Sequence, residues 1–323
     1  MLQHSRYHAN QGRLYSVCDR NAQCDRLCTK KTFCPALGRV SAVSTSIFLL
    51  VILSAVLHAS WNLATKKVSG SLGTICIGLC AASFVSLPFA IYIILSEGLP
   101  LVSVPFIVAT GIVHAFYFYF VGRSYEAGDI SIVYPSSRGI GVAGTSLVAA
   151  TILGESISVN GFTGIMLVCL GTVTLGLKRA QHGHSRTALL YALAVGLTII
   201  CYSCLDKVGV GLSNPVPYIC GLFTIAAVLL TSFVAIHHRD DLIQSWKKKR
   251  GYGIAIGLGS IITYLLILFA FRQGPASYIV AAREIAVVIG SVLGFIFLRE
   301  RLTLRKIVGI TAITAGLVLI KIA

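Results

Sequence analysis

Charge is what this sequence has least of. Only 12% of its 323 residues are Asp, Glu, Lys or Arg, against 56% hydrophobic, and mean hydropathy is +0.84. A soluble domain of that length needs far more polar surface, which leaves a polytopic membrane protein. Acids are the scarcer sign, 11 against 27 Lys and Arg, for a net charge of +16. That excess does not read as nucleic-acid binding. No basic run interleaves with exposed aromatics, and the charge lies in short loops between apolar runs, where membrane proteins keep it. Also missing are a nucleophile–base pair, a phosphate-cradling glycine loop, a Walker motif and a zinc signature. Nothing positive supports an enzyme, no cofactor is expected, and without an ATP motif any transport is secondary.

Cysteine is not scarce, with 10 in the chain, but it does not form a disulfide framework. Cys76, Cys80, Cys169, Cys201, Cys204 and Cys220 fall inside apolar runs, where they act as small hydrophobes. The other four (Cys18, Cys24, Cys28, Cys34) lie in residues 1–45, a basic stretch with no apolar run. Their spacing does not match zinc pairs. The stretch reads as a disordered tail or as sequence translated upstream of the true start, with a metal knuckle or targeting extension as alternatives.

Ten apolar runs follow, at about 46–64, 72–96, 103–124, 130–152, 158–177, 187–206, 214–236, 251–271, 276–298 and 303–321. Most are near the 20 residues that one membrane-crossing helix needs. Strands are excluded, because an open sheet edge cannot sit in lipid. The longest polar connection, His237 to Arg250, ends in WKKKR. His182, His184, His237 and His238, with Asp240 and Asp241, sit in two loops on one face. Solvated loops account for them without a metal site.

The stretch Asp129–Gly144 organises the rest. It carries Pro135 and, about eight residues or roughly 12 Å into its run, Arg138. A charge at that depth costs about 2.5–3.5 kcal/mol on insertion scales. The run 276–298 repeats the pattern with Arg283. At an offset of 145 residues Arg138, Glu155, Gly164 and Gly171 match Arg283, Glu300, Gly309 and Gly316, and LGESIS aligns with LRERLT. One residue shifts the frame upstream, where Gly111, Gly128 and Ser131 match Gly257, Gly274 and Ser277. The expected fold is all-α: ten transmembrane helices as two five-helix repeats, 46–178 and 187–323, joined by a linker at 179–186. Five being odd, the second repeat enters the membrane inverted, and the two arginines come to a similar depth near the midplane.

The paired LGESIS and LRERLT segments, the glycine-rich helices after them and the GDISIVYPSSRG block resemble the drug/metabolite transporter superfamily in its ten-helix form with two EamA-type domains. HASWNLATKK and YPSSRG also resemble a bacterial subgroup, some of whose members are encoded beside phosphonate-utilisation genes. The resemblance implies a small-metabolite transporter with a central cavity in the plasma (inner) membrane, multi-pass, its partners being substrate and lipid. It is compatible with a homodimer and names no substrate.

Within that frame Arg138 and Arg283 are the substrate-binding candidates, since a guanidinium fork suits phosphate, phosphonate or carboxylate. The bland alternative is that each satisfies backbone carbonyls, or that Arg283 pairs with Glu284 or Glu126. Neighbours on a helix point about 100° apart, so Glu284 does not easily neutralise Arg283. Tyr134, Gly141 and Thr145 share the Arg138 face, whose glycines also suit a packing seam. His58, Trp61 and Asn62 share one face of the first run, and His114 lies with Tyr117 on the third; each could instead be satisfied across helices. Glu155 and Glu300 close their helices and read as architectural, bonding the N-terminus of the next helix.

Three functions compete. The first is a secondary transporter of a small anionic metabolite through a midplane cavity lined by two arginines. A cation or drug exporter would instead need an embedded acid, for which Glu284 is the candidate. A non-transporting scaffold would pair each arginine internally. Loop charge puts both termini outside, whereas the resemblance draws them in the cytoplasm; an even helix count puts both on one side either way.

Overall fold

Helices are the only regular structure among the described residues, as a chain with so few groups to satisfy backbone in lipid requires. The structure is a computed structural model describing residues 44–67, 71–127, 130–176, 186–289, 292 and 303–323; side chains of 60–67, 130–132 and 176 fall outside that description. The stretch 1–43, Asp129, His182, His184 and Glu300 also lie outside it, as do the side chains of Trp61 and Asn62.

In chain order the helices are α1 (Thr45–Lys67), α2 (Leu72–Glu97), α3 (Val104–Ala127), α4 (Ile130–Thr151), α5 (Val159–Gly176), α6 (Arg186–Leu212), α7 (Pro215–His237), α8 (Arg239–Gln273), α9 (Ala276–Ala282) and α10 (Leu304–Lys321). Among the described residues, five stretches are long and apolar enough to cross a membrane on their own: Leu72–Glu97, Leu101–Ala127, Arg186–Leu212, Pro215–His237 and Arg239–Gln273. Their starts follow local rules. Ser71 accepts from the Thr74 N–H ahead of α2, and Asn214 accepts from the Val216 N–H with Pro215 in the first helical position.

Two elements depart from the expected runs. The polar connection His237–Arg250 is mostly helix, because α8 begins at Arg239 and runs 35 residues. Its acidic first turn has a purpose: Asp241 accepts from the Gly73 N–H (2.7 Å) and the Ser71 hydroxyl (2.9 Å), capping α2 across the interface. The ninth helix is broken. It stops at Ala282, turns through Arg283 and Glu284, and resumes as helix over 285–289.

Packing pairs α2 with α7 and α8, α3 with α6 and α7, α1 with α8, and α4 with α5, α6 and α9. The tightest crossing is α5 on α10. There Gly164 faces the Gly316 carbonyl and Gly171 the Gly309 carbonyl so closely that a Cβ at either would lie 2.7–2.8 Å from backbone oxygen. On α4, Gly141 and Gly144 admit Ile199 and Ile200 of α6, so that glycine stripe is a packing seam.

Candidate functional site

Arg138 and Glu284 meet across the two halves of the chain. The arginine Nε donates to Glu284 Oε1 at 2.8 Å and Nη2 lies 2.5 Å from the same oxygen. Both side chains are buried, at 5% and 0% exposure, and Glu284 Oε2 has no hydrogen-bond partner. The broken helix makes this geometry. At the turn, the Glu284, Ala286 and Val287 N–H groups bond three residues back, to Ala281, Arg283 and Glu284 carbonyls, at 2.9–3.1 Å. Glu284 is thereby aimed at α4, and its neighbour Arg283 points elsewhere.

Arg283 lies over the Tyr264 ring, 5.6 Å from guanidinium carbon to ring centre. That is a cation–π distance. The residue is only 7% exposed, and its Nη1 has no hydrogen-bond partner. Here the matched halves differ: the 145-residue offset that carries Arg138 to Arg283 carries Glu284 back to Gly139. The second arginine has a glycine where the first has its acid.

An acid that the sequence reading overlooks sits on the far side of Tyr264. Asp206 is fully buried, accepting from the Tyr218 hydroxyl at 2.9 Å and from the Tyr264 hydroxyl. Hydropathy ends the sixth run at this residue, which makes it look like a loop boundary. In fact α6 continues to Leu212. Its signal was rarity, as one of 11 acids in 323 residues, followed by Lys207 and then by more apolar and small residues.

Arg138, Tyr264 and Arg283 border two adjoining cavities. The first holds about 690 Å³ of atom-free space, counting the part that opens outward, and His58, Tyr134, Ser137 and Arg138 are among its walls. It reaches Val121, Ser124 and Tyr125, at the end where α3 finishes and α4 begins. The second, about 380 Å³, is walled by His114, Tyr202, Tyr264 and Arg283 among others. His58, Tyr117, Phe118, Phe223 and Ser260 border both. Tyr134 Oη and His58 Nε2 lie 3.5 Å apart. His114 is set by its own helix, with Nδ1 2.9 Å from the Thr110 carbonyl and the ring 4.4 Å from that of Tyr202. Of the sequence candidates, Tyr134, His58, Arg138, His114 and Arg283 therefore converge on the cavities. Glu284 borders neither and serves Arg138. Glu126 pairs with Arg123 at 2.5 Å at the end of α3 and forms no ion pair with Arg138 or Arg283.

Residues 186–322 match the model of the EamA-like transporter family. The chain is also 36% identical over 64 residues to the multidrug resistance protein EbrB of Bacillus subtilis, and 36% over 63 residues to EbrB of Bacillus atrophaeus. Each match covers 20% of this chain and only about half of EbrB, 55% and 54%. An uncharacterized protein of Methanocaldococcus jannaschii is 29% identical over 99 residues, 31% of this chain and 72% of that one. Among solved structures, a crystal structure of a protein 15% identical superposes with a TM-score of 0.66 over 86% of this chain and 98% of that one. That likeness speaks for the fold alone. The EamA-like match over 186–322 and the apolar helices fit a multi-pass integral membrane protein.

Proposed function

We propose that this chain is a secondary transporter of a small organic anion, which it binds in the joined cavities with Arg283 as the anion-receiving head. One observation carries the sign. Arg138 has a carboxylate on it, whereas Arg283 lines the cavity with a buried N–H that no described group accepts. Asp206 makes no ion pair with Arg283 among the described residues: both its oxygens accept from tyrosine hydroxyls, and it borders neither cavity. A guanidinium in an aromatic-walled site suits a carboxylate, phosphate or phosphonate on a compact apolar body. The anion hypothesis thus narrows from two arginines to one free and one neutralised.

The same reading includes two inverted five-helix repeats, 46–178 and 187–323. Supporting it, the glycines matched by the 145-residue offset meet crosswise, Gly164 on Gly316 and Gly171 on Gly309, as a two-fold axis in the membrane plane requires. We place the protein in the plasma membrane, which fractionation of tagged protein tests.

A thermal-shift screen on purified protein tests the sign. It covers carboxylates, sugar phosphates, phosphonates, amino acids and organic cations. Stabilisation by anions that Arg283→Gln removes is the expected result. The EbrB matches favour a second reading, a cation exporter acting through Glu284. Stabilisation by cations alone, lost in Glu284→Gln and kept in Arg283→Gln, would replace the first reading with that one. A scaffold would respond to no ligand.

A further inference from the structure

The turn between α8 and α9 is held from both sides by charges of opposite sign. On its incoming side Lys207 of α6 donates through Nζ to the Phe271 carbonyl (2.6 Å) and the Gly274 carbonyl (2.8 Å), the last acceptors of α8. On its outgoing side Glu155, in the α4–α5 connection, accepts from the Ala276 N–H (2.6 Å) and from the Ser277 N–H and hydroxyl (3.1 and 2.7 Å). Just beyond, Tyr278 takes a hydrogen bond from the Ser158 N–H at 3.0 Å, its hydroxyl lying against Gly161 where a Cβ would collide with it. Lys and Glu are matched here to the groups a helix end leaves unsatisfied, carbonyls at a C-terminus and amides at an N-terminus. The sequence points to an architectural Glu155 on the N-terminus of the next helix along the chain, α5, and the structure puts it on α9 instead. The helix it holds is 121 residues away in the other half of the chain.

Where this fastening lies matters more than its strength. It sits past the end of α4, about 33 Å of helix from the start of α4. The larger cavity reaches the opposite end, at Tyr125 and Val133. The cavities thus approach one membrane face at the start of α4, while at their other end they stop at Tyr264 and Arg283, short of the fastened turn, whose residues line neither cavity.

From these contacts we propose that the α8–α9 turn is the gate at one membrane face, latched by Glu155 and Lys207. The latch must release for the cavity to open to that face. The proposal rests on the transporter reading. It also ties the gate to the binding site through consecutive residues of α6. Asp206 holds Tyr264 beneath Arg283, while Lys207 holds the end of the same helix α8, about 10 Å further along. An anion arriving on Arg283 thus acts on the aromatic ring that α6 grips one residue from the latch.

The test uses a thiol placed in the cavity. Ser260 borders both cavities, and Ser260→Cys is introduced after the native cysteines, including exposed Cys80 and Cys201, are replaced. A membrane-impermeant maleimide is then applied to sealed right-side-out and inside-out vesicles. With the latch intact, labelling is expected from the face at which α4 begins. Glu155→Ala with Lys207→Met should raise labelling from the other face about tenfold, the shift that a lost charge-assisted hydrogen bond supports. Should that double variant fail to fold, Glu155→Gln and Ser277→Ala, which each remove only part of the contact, should shift labelling the same way by less. Labelling confined to one face in every folded variant overturns the latch and leaves the transporter reading standing. Labelling already dominant at the latch face in the unaltered protein also overturns it. No labelling from either face, with the protein folded by thermal melt, shows a sealed cavity and overturns the transporter reading with the latch.

Discussion

Arg138 and Arg283 are the same residue at matched positions, yet their surroundings assign them different work. Arg138 is half of a buried ion pair, and breaking such a pair is costly because the survivor stays buried without a counter-charge. Arg138→Gln is therefore expected to destabilise the protein by about 3–5 kcal/mol. Arg138→Leu with Glu284→Leu should recover most of that loss, since an apolar pair of similar volume carries no such penalty. Arg283→Gln removes no ion pair and should melt close to the unaltered protein while losing anion-dependent stabilisation. Paired thermal melts with and without anion separate the two roles. Equal melting losses for the two single variants would mean that Arg283 is structural as well. Both arginines were legible in the sequence because a charge some eight residues inside an apolar run has few innocent explanations. The partner of Arg138 was not. Reasoning along one helix correctly separates Glu284 from Arg283, but it cannot see that the acid reaches a helix in the other half of the chain.

At the scale of elements, hydropathy located the helices well and their ends poorly. Lipid demands apolar side chains only over the span it covers. The amphipathic start of α8, over Arg239 to Arg250, therefore looks like a loop although it is helical. The break after Ala282 was hidden for the opposite reason. Residues 276–298 are apolar enough to pass as one rod, and the i+3 hydrogen bonds that turn it are a backbone matter. The glycines of α5 and α10 were legible in sequence through their shared offset, and the structure supplies their use as a backbone-to-backbone crossing. Gly164→Leu should then cost about 1–3 kcal/mol by overpacking, because the atoms it meets are the Gly316 carbonyl and Ile320 and cannot all move aside. Gly154 has open space around it and should tolerate Asn, a residue that accepts its positive φ of 69°. A melt of Gly164→Leu unchanged from the parent would mean that α5 and α10 do not touch there in the membrane.

For the molecule as a whole, the proposed two-fold makes a claim that neither half makes alone: the free arginine is a matter of where one acid sits. The second half carries Glu284 and the first carries Gly139 at the matched position, so the acid of one half reaches the arginine of the other. By the same symmetry a carboxylate at 139 should reach Arg283. The site at 139 has room to begin one, since an added Cβ would meet only Val173 Cγ2 at 3.4 Å. Gly139→Glu is accordingly expected to neutralise Arg283 and lower anion affinity at least about tenfold, the scale of one buried charge-assisted contact. Adding Glu284→Gly in the same chain should restore binding, now with Arg138 as the free head. Anion-dependent thermal shift measured on the parent, the single and the double variant reads out both steps. Loss in the single variant without recovery in the double, with both folded, would show that Arg138 and Arg283 do not occupy equivalent places. That outcome would sink the inverted-repeat account of the site even if the protein carries anions by some other arrangement.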